Sequence, residues 1–182
     1  TTNVITPASA VQPTGAILQV KQNSNTTSTG YVDMTTSLAY YDITNMNVAI
    51  TPASTSNKIL VSLFAMGEAD RDDHHIRWRL KRAISGGATT YIQGGDTPGS
   101  RTTTFGMIGV GETASDNTTT PVSFGFSNYL DSPSTTSETT YTFQVGINGG
   151  NKKWYYNRTV NDNDTAAHER GISYITVMEV AG

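Results

Sequence analysis

Two short loops carry acidic side chains at a spacing that a hard cation can use. Asp70, Asp72 and Asp73 follow one predicted strand, and Asp162 and Asp164 lie in the segment NDNDT. Carboxylate oxygens on short loops are the ligands that Ca²⁺ prefers. Neither run has the EF-hand spacing, and Asp and Asn also populate turns because they hydrogen-bond their own backbone. A solvated turn is therefore the first interpretation of both loops, and Ca²⁺ binding is the alternative.

Histidine and cysteine, the usual ligands of softer metals, are scarce. The chain has three histidines and no cysteine. His74 and His75 are neighbours in a predicted strand, where adjacent side chains point to opposite faces, so they do not ligate one ion without a bulge. The sequence therefore predicts no metal centre and no cofactor.

Motifs of nucleophilic catalysis and phosphate binding are absent from the sequence. The chain lacks G-x-S-x-G, and GMIGVG at residues 106–111 has neither a lysine nor a predicted helix after it. Glycines within a strand more often permit close packing. A carboxylate pair such as Asp70 and Glu112 would suit a polysaccharide depolymerase, which needs two carboxyl groups at a defined separation. That is the remote alternative to the prediction that the protein is not an enzyme.

One predicted strand carries a cationic stripe. In HHIRWRLKR the apolar residues Ile76, Trp78 and Leu80 alternate with basic ones, so one face is apolar and the other basic. The basic face can pair with an acidic neighbouring subunit or with anionic sugars and phosphates. An ordinary solvated strand face is the alternative. The residues of this possible interface or anionic-partner face are His75, Arg77, Arg79 and Lys81.

Aromatic residues cluster in the segment KKWYY. Exposed aromatic rings can stack on sugar rings, which makes Trp154 and Tyr155 candidates for glycan binding. Consecutive aromatic residues in a strand also place some rings in the core and others at a subunit interface. Both interpretations of Trp154 and Tyr155 follow from the sequence.

Length and charge narrow the classes of protein further. A chain of 182 residues is long enough for one domain with its own core. Its net charge is −3 and only 15% of its residues are charged, so no basic field is available to hold nucleic acid. No apolar run approaches the roughly 18 residues of a membrane span, and residues 1–14 do not resemble a signal peptide. We therefore expect no membrane insertion.

Short β-strands are the elements that must position these residues. Residues 1–14, with two prolines and no periodicity, are predicted to be an extended arm, and residues 15–182 a head domain. In KILVSLFAMGEA both alternating faces are apolar, and YTFQVGI alternates up to NGGN, a hairpin signal. No segment has a helical period. About 10 to 11 strands predict an all-β fold, an antiparallel β-sandwich of jelly-roll type.

The C-terminal strand needs cover on both of its edges. The chain ends almost as soon as ISYITVMEV does, and an exposed terminal strand would offer unpaired amides to any neighbour. We therefore expect this strand inside a sheet or at a subunit interface. The side chains assigned to this core or trimer strand are Ile172, Tyr174, Ile175, Val177 and Val180.

Five segments together resemble a module of tailed-bacteriophage and marine-virus structural proteins: GAILQVKQ, VAITPASTSNKILV, LDSPSTTSETTYTFQV, YYNRT and RGISYITVMEVAG. The resemblance extends over residues 15–182. It implies a jelly-roll head similar to trimeric fibre tips and to tumour-necrosis-factor or C1q-like domains. It also implies homotrimerisation, exposure on the virion surface after assembly in the host cytoplasm, and no enzymatic activity.

Two virion roles follow from the resemblance. The head can be a fibre or spike tip that binds a host surface glycan or receptor, because loops on a rigid sandwich often carry recognition. Alternatively, the head can be a capsid decoration protein that the arm attaches to the shell or to other virion proteins. The arm extends at most roughly 50 Å, which is short for a fibre shaft if Thr1 follows an initiator methionine rather than a cleavage.

Overall fold

Eleven β-strands make up the structure, a computed structural model that describes residues 12–70, 75–96, 99–109 and 122–182. The strands form where β-branched and aromatic residues alternate between polar turn segments, since such side chains pack well on a pleated surface. They are β1 (Ile17–Asn25), β2 (Tyr31–Met34), β3 (Tyr40–Ile50), β4 (Lys58–Ala69), β5 (His75–Ile84), β6 (Thr89–Ile92), β7 (Gly106–Gly109), β8 (Val122–Asp131), β9 (Thr139–Ile147), β10 (Lys152–Tyr156) and β11 (Ser173–Val180).

The strands form two antiparallel sheets. Sheet A has the order β1-β11-β4-β10-β2, and β8 pairs with the other edge of β4. β10 and β11 lie end to end on one side of β4, because Gly67 pairs with β10 and Phe64 with β11 while both residues pair with β8 on the other side. Sheet B has the order β3-β9-β5-β6, and β7 lies beside β5 end to end with β6.

One hydrophobic core lies between the two sheets. Alternate residues of each central strand point inward, as the period of two in the sequence predicts. The all-β antiparallel sandwich is therefore confirmed. Of the predicted arm, residues 1–11 lie outside the described part of the chain. The inward residues of β4, β5 and β9 are Ile59, Val61, Leu63, Ala65, Ile76, Trp78, Leu80, Tyr141, Phe143, Val145 and Ile147.

The turn NGGN connects the two sheets and does not close a hairpin. β9 belongs to sheet B and β10 to sheet A, so the predicted hairpin at residues 148–151 is wrong. Gly149, Gly150 and Asn151 have φ values of 93°, 56° and 52°. Left-handed residues turn the chain sharply both in a hairpin and in a connection between two sheets. The turn residues therefore do not determine which strand β10 pairs with.

Glu179 is a buried carboxylate that ties β11 to its surroundings. It is only 1% exposed. Its Oε1 accepts hydrogen bonds from the Ala53 backbone N–H and from Asn57 Nδ2, each at 2.6 Å, and its Oε2 accepts one from Gln19 Nε2 at 2.6 Å. Three donors from β1 and the β3–β4 loop thus converge on one side chain of the C-terminal strand.

Replacing Glu179 by glutamine is expected to lower the free energy of unfolding at neutral pH by about 1.5–3 kcal/mol, since hydrogen bonds to a charged group are lost. Burial raises the pKa of Glu179, but the hydrogen bonds from Asn57, Gln19 and Ala53 outweigh it, so the net pKa is below its ordinary value. The stabilisation is therefore present above the unfolded-state pKa and is lost as the pH falls through the folded-state pKa.

Thermal melts of the wild type and Glu179→Gln across a descending pH series measure this effect. The difference between the two proteins should narrow as the pH falls. The exposed Glu138, changed to glutamine, serves as a control that should change stability little at any pH. A difference that stays constant down to strongly acidic pH would contradict the assigned role of Glu179.

Candidate functional site

The cationic stripe lies on the outer face of sheet B, and Arg77 is buried within it. Only 4% of Arg77 is exposed. Its Nη2 donates a hydrogen bond to the Ile147 carbonyl oxygen at 3.3 Å, and its guanidinium lies 5.2 Å from the centroid of the Tyr40 ring. Its Nε and Nη1 have no hydrogen-bond partner among the described residues. Arg77 therefore presents almost no charge at the protein surface.

Arg79 is held between two tyrosine rings. Its guanidinium lies 4.1 Å from the centroid of the Tyr40 ring and 3.8 Å from that of Tyr91. It donates hydrogen bonds to Gln144 Oε1 at 2.6 Å and to Gln93 Oε1 at 3.1 Å. Burial lowers the pKa of Arg79 from its ordinary value. Arg79 thus links side chains of β3, β6 and β9 to β5 through hydrogen bonds and cation–π contacts.

Lys81 completes the described part of the stripe and forms an ion pair with Asp42. Gln144 donates a hydrogen bond to the other carboxylate oxygen of Asp42 at 2.6 Å. The His75 side chain lies outside the described residues. The cations that a partner can reach on this face are therefore Arg79 and Lys81, and each already has partners in its own chain.

The prediction of glycan stacking is wrong for Trp154, which is fully buried. β10 pairs on both edges, and its alternation points Trp154 inward and Tyr155 outward. The indole packs so closely on Gly67 that a Cβ there would lie 2.5 Å from it. Tyr155 is half-buried, with the Tyr31 ring centroid 5.4 Å away and the Arg158 guanidinium 4.4 Å above its ring. Of the two candidates, only Tyr155 reaches solvent.

One aspartate in each acidic loop, Asp70 and Asp162, is hydrogen-bonded to the protein, and Asp164 is exposed. Arg170 donates hydrogen bonds to Asp162 Oδ1 at 3.0 Å and Oδ2 at 2.8 Å, and this hydrogen bonding holds the pKa of Asp162 below its usual value. Asp70 accepts a backbone hydrogen bond at 2.8 Å. Asp72 and Asp73 lie outside the described residues. Within the described ranges, no three His, Asp or Glu side chains form a cluster that could hold a metal ion.

The glycine-rich segment has a packing role where it is described. Gly106 lies against Trp78, and a Cβ at Gly106 would meet the indole at 2.4 Å. The close approach of β7 to β5 therefore requires glycine at this position. Glu112, the partner suggested for Asp70 in a depolymerase, lies outside the described residues.

The C-terminal strand lies inside sheet A, between β1 and β4. Ile175 and Val177 point inward and are fully buried, whereas Tyr174 and Val180 point outward and are half-buried. Ile172 directly precedes β11 and is 43% exposed in the single chain, so its assignment to a core or trimer strand stays a prediction. The strand starts one residue later because Ser173 is the first residue to pair with β1.

The outer face of sheet A is largely apolar across β1, β11 and β4 and carries no charged side chain between Lys58 and Glu68, which lie at the two ends of β4. Cross-strand partners share this face, as the pairs Leu60 with Met178 and Phe64 with Tyr174 show. The rings of Phe64 and Tyr174 stack with centroids 5.7 Å apart. Lys58, opposite Val180, marks one end of the face. Its members are Val20, Gln22, Ser24, Leu60, Ser62, Phe64, Met66, Tyr174, Thr176, Met178 and Val180, with Leu130 of β8 beside Leu60.

A buried ion pair that the sequence did not reveal joins the two sheets. Arg82 Nη1 donates hydrogen bonds to Asp131 Oδ1 at 2.7 Å and Oδ2 at 2.8 Å. The Tyr141 hydroxyl donates to Asp131 Oδ2 at 2.6 Å, and burial raises the pKa of Tyr141 far above its ordinary value. The only signal in the sequence is that Arg82 continues the inward alternation of Ile76, Trp78 and Leu80.

The fold that the structure defines is an all-β sandwich of two antiparallel sheets. No protein-family model matches the chain, and no curated protein sequence matches it. Within the described ranges, no helix is long and apolar enough to cross a membrane.

Proposed function

We propose that the chain is a non-enzymatic structural protein of a virion and that its sandwich is a surface-exposed head that assembles as a homotrimer. The observation that carries this proposal is the largely apolar outer face of sheet A, which has no charged side chain between Lys58 and Glu68. A large exposed apolar patch on a folded domain commonly marks a surface that binds another molecule. The resemblance of residues 15–182 to virion modules supports both the homotrimer and the location of the protein on a virion.

A second copy of the same chain is the occupant that fits this face. A neighbouring copy can cover the face between Lys58 and Glu68 without burying an unpaired charge, which would be costly. The polar side chains of the face are already paired, since Gln22 Nε2 donates to Thr176 Oγ1 at 2.7 Å, so contact leaves few donors unsatisfied. Val20 and Leu130, 53% and 45% exposed, supply apolar surface for the neighbouring copy to cover.

The strand order supports a jelly-roll head. β1, β11, β4 and β8 form one four-stranded unit, and β3, β9, β5 and β6 form the other. The chain passes from one sheet to the other at most of its connections. Eight strands wrapped in two sheets in this way are the pattern of a jelly roll.

Within the virion, we favour a fibre or spike tip that attaches to the host. The hydrogen bonds and ion pair on the outer face of sheet B make it a rigid support for loops that could bind a receptor. Capsid decoration is the alternative role, in which the same head and the N-terminal arm bind and stabilise the shell.

Purified particles test this proposal directly. Quantitative mass spectrometry should find the chain in the particle, and immunogold labelling should place it. A few copies at the tail support the attachment role, whereas many copies over the capsid support decoration. Absence of the chain from purified infectious particles would contradict the virion proposal.

A further inference from the structure

A cleft opens at the edge of the sandwich where β6 of sheet B faces β8 of sheet A. Its volume is about 300 Å³, at the lower end of the range for small-molecule sites. Tyr129 and Asp131 lie on the inner side of β8, because they pair with the inward residues Val61 and Ile59 of β4. Leu130 lies on the outer face of sheet A. The cleft is therefore distinct from the proposed subunit interface.

Aromatic rings form one wall of the cleft. Phe105 and Tyr129 are half-buried and meet edge to face, with ring centroids 5.1 Å apart. Phe105 in turn stacks on Trp78 at 5.1 Å, so the wall rests on the core of the sandwich. Half-exposed rings with firm support provide an apolar surface on which the C–H face of a sugar ring can pack.

Polar groups line the rest of the cleft, and its charges cancel. Arg82 and Asp131 are paired with each other, and Arg82 Nη2 also donates to Thr90 Oγ1 at 3.2 Å. Burial and the charge of Asp131 raise the pKa of Tyr129, so its hydroxyl keeps its proton and can donate a hydrogen bond. Gln93 also lines the opening, and its side-chain amide accepts a hydrogen bond from Arg79 and donates one to Thr103. Hydroxyl and amide groups without net charge suit a ligand rich in hydroxyl groups.

We propose that this cleft binds a neutral sugar ring, which packs on Phe105 and Tyr129 and exchanges hydrogen bonds with the polar residues opposite. That the sugar belongs to a host surface glycan rests on the proposed attachment function. The binding of a sugar in the cleft does not depend on that function. The cleft is a different site from Trp154 and Tyr155, where the sequence placed glycan stacking.

Saturation-transfer NMR and titration with methyl glycosides test the cleft. The neutral probes are the methyl glycosides of glucose, galactose, mannose and N-acetylglucosamine, and methyl glucuronide is the anionic comparison. At least one neutral probe should bind, and the anionic probe should bind no more tightly. Tyr129→Phe should weaken binding about 5- to 10-fold through the lost hydrogen bond, and Tyr129→Leu should weaken it further by removing the ring.

The matched control is Tyr31→Phe, which removes a hydroxyl from an exposed tyrosine beside Tyr155 and should leave binding unchanged. Binding by none of the four neutral probes would overturn the proposal. Equal binding by the wild type and both Tyr129 variants, or loss of binding in Tyr31→Phe alone, would do the same. A trimer that binds no sugar rejects only the cleft, and a monomer that binds sugar rejects only the assembly.

Discussion

Arg82→Met is expected to lower the free energy of unfolding by about 3–5 kcal/mol, the largest stability effect of any single change considered for this chain. The substitution leaves the Asp131 carboxylate buried without its cation, while Tyr141 still donates to it at 2.6 Å. The side chains of Arg82 and Asp131 are only 15% and 7% exposed, so little of the Asp131 carboxylate is solvated by bulk water. Urea unfolding followed by tryptophan fluorescence measures the change.

The neighbouring residue provides the control for this prediction. Lys81 also forms an ion pair, but its partner Asp42 is 49% exposed, so Lys81→Met should cost less than about 1 kcal/mol. The double variant Arg82→Met with Asp131→Leu should recover part of the loss, because no buried charge remains. Equal effects of Arg82→Met and Lys81→Met would contradict the assignment of Arg82 and Asp131 as the bond between the sheets.

Val20→Glu is expected to weaken self-association by about 100-fold or more while leaving the fold of each head intact. Val20 lies on the outer face of sheet A and is exposed in the single chain, so a carboxylate there meets only water. In the assembly the same carboxylate would be buried without a partner, at a cost of several kcal/mol. Sedimentation velocity over a range of concentrations measures the association.

Met107→Glu is the matched control for this second prediction. Met107 is 56% exposed and lies on β7 of sheet B, away from the proposed interface. The two variants add the same charge at similar exposure, so a general effect of charge on solubility would appear in both. Association weakened equally by both variants, or by Met107→Glu alone, would contradict the placement of the interface on sheet A.

Strands and core faces were predictable from the sequence because they depend on a period of two. Ile59, Val61, Leu63 and Ala65 alternate with residues of the outer face, and the structure buries all four. Both faces of this strand are apolar in the sequence. The structure assigns one face to the core and leaves the other on the outer face of sheet A, where an interface is proposed.

Partners were less predictable, because they depend on residues far apart in the chain. The NGGN segment has the residues of a hairpin turn, yet the strand after it pairs with β2 and β4. Alternation predicts that Arg77 points away from the core. It does not predict that Arg77 is nonetheless buried, because that depends on packing across the outer face of sheet B.

The cleft between β6 and β8 had no sequence signal of its own. Its residues come from three strands and a loop, and none of them forms a motif. Arg82 and Asp131 are separated by 49 positions, and only the facing of the two sheets brings them together. Trp154, by contrast, was a candidate in the sequence, but β10 pairs on both edges and Trp154 points into the core.

The measurement that tests the central claim most directly is the mass of the wild-type protein in solution, by light scattering coupled to size-exclusion chromatography. The proposed function requires that further copies of the chain cover the outer face of sheet A. We predict that the protein has three times the mass of a single chain, which is 19.5 kDa. A protein that elutes with the mass of a single chain at every concentration would contradict the account.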